Sequence, residues 1–397
     1  MRILIASESQ YIAFHGQAIF TRNLSEGLAR RGHDVSVLTL SERGRPYQEQ
    51  VAGVQVEAVR SLSLGLLHPD VYASAFPEKR VRQVVRQFRP DIIHIQDHYP
   101  LCRSAVRNAK RYGIKVVGTN HFMPENLAAY VPVISRIKPL YNWILWHWML
   151  DLYNRLDAAA VPSKSGADLL RRQGIRPPVF PISCGVDVRH FHPIANLDRA
   201  AWRARYGLDP DRKIIFFVGR VDREKRLDVL LKAVRLMDRR DLQCVIAGNG
   251  AALQGLKALA QELELGGNVL FTGFVPNEDL PSLLGSVDIF AMPSEAELLS
   301  IATLEAMACG LPVLAARAMA LPELVSENVN GFLFNPGDAT DAARCLGLLA
   351  DHPERWKEMG QASLDKVQQH SLDRGLSQYE DLYRSVLNGP HGGEEAI

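Results

Sequence analysis

The apolar positions of this chain fall into two alternating rhythms. Short unbroken apolar runs bounded by Gly, Pro, Asn or Asp read as buried strands, and longer stretches with apolar residues three and four apart read as helices. Ile3–Ala6, Val35–Leu40, Ile92–Ile95 and Lys115–Gly118 are strand-like, and Ile19–Arg31 and Arg80–Phe88 are helix-like. That order is βαβ, which implies a parallel sheet with right-handed crossovers. Irregular chain follows at Pro177-Pro178 and from Gly185-Val186-Asp187 to Phe191-His192-Pro193. The rhythm then restarts, with strands at Ile214–Val218, Gln243–Ala247, Val269–Thr272, Asp288–Met292 and Pro312–Ala316 and a helix at Leu227–Leu236. An amphipathic helix, Leu372–Leu387, comes last, and the Gly-rich tail Gly389–Ile397 is expected to fray. The pattern predicts an α/β protein of two Rossmann-like domains, residues 1–190 and 191–371.

Ligands of open parallel sheets sit beyond the carboxyl ends of the strands. In the first half those ends hold His15-Gly16-Gln17, Asp97-His98 and Asn120-His121. In the second half the most informative stretch runs from Glu297 to Pro312. A polar loop ending in Glu297 leads into an apolar helix that carries Glu305 and stops at Gly310. A helix N-terminus is an anion site, and carboxylates beside it accept hydrogen bonds from sugar or ribose hydroxyls. The same two carboxylates suggest a glycosidase pair, which must stand roughly 5–9.5 Å apart. Eight helical positions span about 12 Å, which disfavours that chemistry.

Charge adds a second theme. The chain has a net charge of only +2, but residues 1–190 hold 25 Lys and Arg against 15 Asp and Glu, a net +10. Residues 191–397 hold 21 against 29, a net −8. A basic half suggests an anionic partner. No nucleic-acid motif accompanies it, so no nucleic-acid partner is expected. The segment Lys138–Leu150 brings Trp143, Trp146 and Trp148 into an uncharged stretch of 12 residues, flanked by Arg136, Lys138 and Arg155. It is too short to span a bilayer, which takes about 20 residues. Two readings remain: a helix lying on an anionic membrane surface, or a helix packed into a core through Trp143, Trp146, Leu150 and Tyr153, which share a face. The five cysteines are dispersed, which points to a reducing compartment and against a disulfide framework or zinc site. Met1-Arg2 leads straight into an apolar strand, so no secretory leader is expected.

Taken together, these motifs resemble the retaining glycosyltransferases of the GT-B fold, in the large family-four group. Glu297-x7-Glu305 followed by Ala-Met-Ala-Cys-Gly-x-Pro-Val is the most specific of them. Gly185-Val-Asp…Phe191-His-Pro193, Gly219-Arg220…Glu224-Lys225, Gly248-Asn-Gly250, Gly273-Phe274-Val275 and Gly331-Phe-Leu-Phe-Asn-Pro-Gly337-Asp338 occur in the family's order. Two departures stand out. Leu298-Leu299 replaces the family's Phe-Gly, and His15 replaces one of two glycines beside Gly16.

The resemblance implies two Rossmann-like domains with a cleft between them and a C-terminal helix, about 372–397, crossing back to the first. It implies transfer of a hexose from a nucleotide sugar, a UDP-sugar being the expected donor, with retention of configuration. Arg220 and Lys225 would grip the diphosphate, and both are expected to be exposed. Gly16, Gly219, Gly248, Asn249, Phe274, Leu298, Leu299 and Ser300 would line the donor. Glu297 would meet the sugar hydroxyls, Glu305 the ribose, and His121 the sugar's reacting face. Asp97 and His98 would lie on the acceptor side. No Asp-x-Asp metal motif is identified, so no metal or other cofactor is expected. With the Trp segment, the expected acceptor is a membrane lipid such as diacylglycerol or a glycolipid, and the expected location is cytoplasmic, peripheral on the inner face of the cell membrane. The alternatives are a soluble sugar or polysaccharide acceptor, and a non-catalytic nucleotide-sugar binding protein.

Overall fold

The structure, a computed structural model, describes residues 1–13, 16–63, 72–123 and 138–389. The chain divides into two compact units, Met1–Cys184 with Leu372–Ile397, and Gly185–Ser371.

In the first unit the strands are β1 (Arg2–Gln10), β2 (Asp34–Leu40), β3 (Tyr47–Val51), β4 (Val54–Val59), β5 (Ser61–Ser63), β6 (Tyr72–Ser74), β7 (Ile92–Ile95), β8 (Lys115–Thr119), β9 (Ala158–Val161) and β10 (Val179–Pro181). The helices are α1 (Gly16–Arg30), α2 (Glu78–Phe88), α3 (Pro100–Tyr112), α4 (Lys138–Tyr153) and α5 (Lys164–Arg172). The main sheet has the order β10-β9-β8-β7-β1-β2-β4-β3. All its pairings are parallel except β3 with β4. The central strands are continuous apolar runs because helices cover both faces. The edge hairpin was not legible as strand. Tyr47–Val51 is polar, with alternating half-buried and exposed positions, and it turns at Ala52-Gly53, both with positive φ.

The second unit contains β11 (Lys213–Val218), β12 (Leu242–Ala247), β13 (Val269–Gly273), β14 (Ile289–Met292), β15 (Val313–Ala316) and β16 (Gly331–Phe334). Its helices are α6 (Arg199–Tyr206), α7 (Leu227–Met237), α8 (Leu253–Glu262), α9 (Leu280–Ser286), α10 (Ile301–Ala308), α11 (Leu321–Leu324), α12 (Ala339–Ala350) and α13 (Trp356–Val367). The strands pair in parallel in the order β13-β12-β11-β14-β15-β16.

The final helix, α14 (Leu372–Asn388), belongs to the first unit. Its buried residues Gly375, Leu376, Tyr379, Leu382 and Tyr383 follow the three-and-four spacing of one helical face. Leu376 packs against Gly27 of α1, where a methyl group would collide with it. Glu380 accepts from Arg31 at 3.2 Å and pairs with His33 at 2.8 Å.

The tryptophan helix departs from the expected face. In α4, Trp146, Leu150 and Tyr153 are buried, whereas Trp143 is 57% exposed. At 100° per residue Trp143 lies at the edge of the buried arc, and Leu140 and Ile144 beside it are also exposed. Trp148 is partly exposed and stacks over the Arg103 guanidinium. Arg136 lies outside the described residues.

Candidate functional site

In the second unit β11 has β12 on one side and β14 on the other. The order of strands therefore reverses between β11 and β14, where a parallel sheet opens a crevice for ligands. The loops leaving these two strands carry the predicted chemistry. After β11 come Gly219 and Arg220, then a short 3₁₀ turn at Arg223–Lys225. After β14 comes the loop to Ser300. The Ser294 hydroxyl and the Glu295 amide donate to the Glu224 carbonyl at 3.2 and 3.4 Å, and Arg226 pairs with Glu295.

These ties bring Lys225 and Glu297 together. Lys225 Nζ is 2.5 Å from Glu297 Oε1 and 3.9 Å from Glu224 Oε1. The expectation that both cations are exposed fails for Lys225, whose side chain is 16% exposed, because the β14 loop folds over it. Arg220 is the exposed one, at 55%, and it bonds Asp222 at 2.8 Å and Glu224 at 2.9 Å. Desolvation raises the Glu224 carboxyl, with Lys225 and Arg220 opposing the rise. Two cations are thus held by three carboxyl groups. The oxygens of a diphosphate are stronger acceptors for the same N–H donors, so the arrangement can exchange carboxylate for phosphate.

Close backbone approach supports this corner. Gly219 and Gly248 both have positive φ, and a Cβ on Gly248 would be driven into the Gly219 carbonyl oxygen. The Asn249 carbonyl accepts from the Val221 amide at 2.9 Å. Phe274, just beyond β13, is 63% exposed.

Glu297 precedes α10 and Glu305 lies within it. Ser300 caps the helix, accepting from the Thr303 amide at 3.3 Å, and Gly310 ends the segment with φ +81. Desolvation pushes the Glu305 carboxyl up to about 8. Leu298 is buried and Leu299 packs on the core, and neither has a positive φ. The Ala320 amide donates to the Glu297 carbonyl at 3.1 Å. The turn that departs from the family's Phe-Gly is therefore held by apolar packing and needs no glycine.

In the first unit the reversal lies between β1 and β7. Gly16 opens α1, where it is exposed, while His15 lies outside the described residues. Asp97 follows β7 and is almost wholly buried. One of its oxygens accepts from the Glu8 amide at 2.6 Å and from Gln17 Nε2 at 3.0 Å; the other accepts from the Tyr99 amide at 3.1 Å. It staples the β1, α1 and α3 loops. Burial raises its carboxyl, and burial with the Asp97 charge pushes Glu8 up to about 7.

His98 is fully buried beside Tyr99, Phe122 and Trp148, with ring centroids 4.5, 4.9 and 4.8 Å away. Neither ring nitrogen has a hydrogen-bond partner among the described residues. Burial, with Arg103 adding, pushes its pKa down to about 3. His121, beyond β8, is half-buried and bonds Gln96 at 2.9 Å. The Asn120 side chain fixes its loop by bonding both the amide and the carbonyl of Phe122.

Glu8, His94, Gln96 and Asp222 went unread in the sequence, and Glu224 entered only as a member of the Gly219-Arg220…Glu224-Lys225 motif. Gln96 alone carried a signal, as the immediate neighbour of Asp97-His98 at a strand end. Also passed over was Asp209-Pro210-Asp211, which has Asp-x-Asp spacing. Asp209 closes its own turn there, accepting from the amides of Asp211 and Arg212. Among the described residues no group of three or more His, Cys, Asp and Glu is placed to hold a metal ion.

Comparison with known proteins gives the same assignment from two sides. Residues 14–190 match the family model described as Glycosyltransferase Family 4, and residues 198–365 match Glycosyl transferases group 1. A D-inositol 3-phosphate glycosyltransferase of Saccharomonospora viridis is 30% identical, over 94% of this chain and 89% of its own. A GDP-mannose-dependent alpha-mannosyltransferase of Corynebacterium glutamicum is 27% identical, over 98% and 89%. Among solved structures, Anabaena HepE in complex with UDP-glucose superposes with a TM-score of 0.77 at 18% identity, covering 96% of this chain and all of that one. The two parallel sheets, the C-terminal helix of the first unit and the sequence matches together make this chain a member of the family-four group of GT-B glycosyltransferases, which take their glycosyl group from a nucleotide sugar.

Proposed function

We propose that the protein is a retaining hexosyltransferase that moves a hexose from a nucleotide sugar to a hydroxyl of a membrane lipid, such as diacylglycerol or a glycolipid, without a metal ion. The observation that carries the catalytic part is the meeting of Lys225, Arg220 and Glu297 at the reversal point of the second sheet. Two cations there suit a leaving diphosphate, the task a metal performs in other transferases. Glu297, once exchanged from Lys225, is free to accept from a sugar hydroxyl, and Glu305, eight positions on, is assigned to the ribose. Asn249 and Phe274 flank the base. In this reading the acceptor hydroxyl attacks on the face the diphosphate leaves, and a phosphate oxygen takes its proton. The protein contributes orientation and charge stabilisation rather than a nucleophile. His121 is assigned to the sugar, and Asp97 and His98 to the acceptor side.

The donor base is the open variable, since one relative is named for GDP-mannose and HepE holds UDP-glucose. The test incubates purified protein with UDP- and GDP-hexoses, with and without diacylglycerol vesicles, in the presence of a chelator. The expected result is transfer from a UDP-hexose to lipid, with proton NMR showing the donor's anomeric configuration in the new linkage. Inverted product would remove the retaining assignment. Activity lost to chelator and restored by magnesium or manganese would remove metal independence. A soluble acceptor is the second reading, favoured by the relative named for inositol 3-phosphate; transfer to a free polyol with none to lipid would establish it.

The lipid reading rests on α4. Leu140, Trp143 and Ile144 form an exposed apolar strip on a half of the chain with a net charge of +10. No helix among the described residues is long and apolar enough to cross a membrane, so the strip suits peripheral docking on anionic lipid. Binding to anionic vesicles is expected to fall with salt, at roughly 1 kcal/mol per basic residue near the surface. It should not vanish, because the apolar contribution is not screened. Trp143→Ser with Ile144→Ser should reduce it further. Trp146 is unsuitable for this test because it is core. A wild-type chain that ignores anionic vesicles at low salt would end the docking reading and make the soluble acceptor the leading one.

A further inference from the structure

Behind His121 runs a chain of buried polar groups that the transfer reaction itself does not use. His121 Nε2 lies 2.9 Å from Gln96 Oε1, and Gln96 Nε2 lies 3.3 Å from His94 Nε2. His94 Nδ1 lies 2.7 Å from the Tyr383 hydroxyl on α14. The Thr119 hydroxyl joins at 2.8 Å from His94 Nε2 and is itself 3.0 Å from the Tyr379 hydroxyl. His94, Gln96 and Thr119 are fully buried. Phe20 of α1 packs beside the chain, its ring 4.8 Å from His121 and 5.7 Å from Tyr379.

The proton positions in this chain are coupled. Burial, with nearby His121 adding, pushes the His94 pKa down to about 3, so the imidazole is neutral and carries one N–H. An amide nitrogen only donates. With Gln96 Nε2 toward His94, His94 Nε2 accepts, and Nδ1–H donates to Tyr383. An amide oxygen only accepts, so His121 Nε2 must carry its proton toward Gln96. With the Gln96 amide held in this orientation, rotating the His121 ring or moving its proton would leave buried groups unpaired, which costs more than the loss of one surface bond.

We propose that Gln96 is a positioning residue which, through His94 and Tyr383 of the C-terminal helix, fixes His121 as its Nε2–H tautomer and sets the plane of its ring. The inference rests on the reading that His121 lies at the donor sugar. It gives α14 a part in building the site: residues 260 to 289 positions apart in the chain hold one side chain.

The test uses the full chain labelled with ¹⁵N-histidine. Long-range proton–nitrogen correlations report each ring's tautomer, and His121→Asn identifies the His121 signals. The wild type is expected to show the Nε2–H form. Gln96→Glu keeps an acceptor toward His121 and should keep that form. Gln96→Leu and the near-isosteric Tyr383→Phe should each yield a mixture of tautomers. For Gln96→Leu, kcat should fall on the order of tenfold or more, within the hundredfold range of misplacement effects, with the donor KM little changed. An Nδ1–H tautomer in the wild type, which the opposite orientation of the Gln96 amide would produce, would overturn the proposal. So would a tautomer unchanged in both Gln96→Leu and Tyr383→Phe. Full activity of His121→Asn would instead overturn the placement of His121 at the sugar, because the spectra do not depend on turnover.

Discussion

Lys225→Ala and Arg220→Ala are each expected to lower the rate of transfer by on the order of 10²–10³, the scale for removing one donor that stabilises transition-state charge. The two substitutions should differ in their side effects. Arg220 is more than half exposed, and its partners Asp222 and Glu224 are close to other groups. Its loss should leave the melting temperature nearly unchanged. Lys225 is enclosed, and its removal leaves the buried Glu297 carboxylate without its 2.5 Å partner. Breaking such a pair costs roughly 3–5 kcal/mol when both groups are fully buried, and less where they keep some contact with water. Lys225→Ala should therefore melt lower as well as react more slowly. The double variant Lys225→Ala with Glu297→Gln separates the two effects: it should recover stability without recovering activity. Initial rates at saturating donor, set beside thermal melts, make the comparison. Wild-type turnover in either single variant would remove that residue from the phosphate grip.

The two parallel sheets were legible because buried parallel strands are apolar without alternation. Ile92–Ile95 and Lys213–Val218 stand out against any background. The edge hairpin at Tyr47–Val51 was not, because an edge strand half in water is polar. Within the candidate site, the sequence placed Glu297 in a polar loop before an apolar helix and Glu305 inside that helix, where the structure has them. The Lys225–Glu297 bond was not, because it joins residues 72 positions apart through loops from different strands. Nor was the division of labour along α4. Sequence puts Trp143 and Trp146 on one apolar face, and only packing reveals that the boundary between buried and exposed falls between them. The chain from His121 to Tyr383 was invisible for a related reason. Tyr379 and Tyr383 read as part of an amphipathic stripe, and nothing in the spacing shows that their hydroxyls meet His94 and Thr119.

Gly248→Ala is expected to destabilise the second unit strongly. Gly248 follows the last residue of β12 with φ +131, a conformation that residues with a side chain rarely adopt, and its amide donates to the Gly273 carbonyl at 2.7 Å. A Cβ there would overlap the Gly219 carbonyl oxygen, which is backbone and so cannot swing aside as a side chain could. Relief requires the ends of β11 and β12 to separate, where Gly219 N–H bonds the Ala247 carbonyl at 3.1 Å and Asn249 bonds Val221. Backbone strain of order 1–3 kcal/mol and the loss of one or more buried hydrogen bonds act together. Against a typical total stability of about 5–15 kcal/mol, that should lower the melting temperature sharply or leave the protein insoluble. Folded protein that remains should bind nucleotide poorly, because Gly219, Arg220 and Asn249 all leave from the displaced strand ends. Gly255→Ala is the control. It lies inside α8 with open space around its would-be Cβ, and alanine there should gain roughly 0.5–1 kcal/mol. A Gly248→Ala protein that melts with the wild type and binds nucleotide as well would show that the two strand ends are not held as closely as this geometry requires.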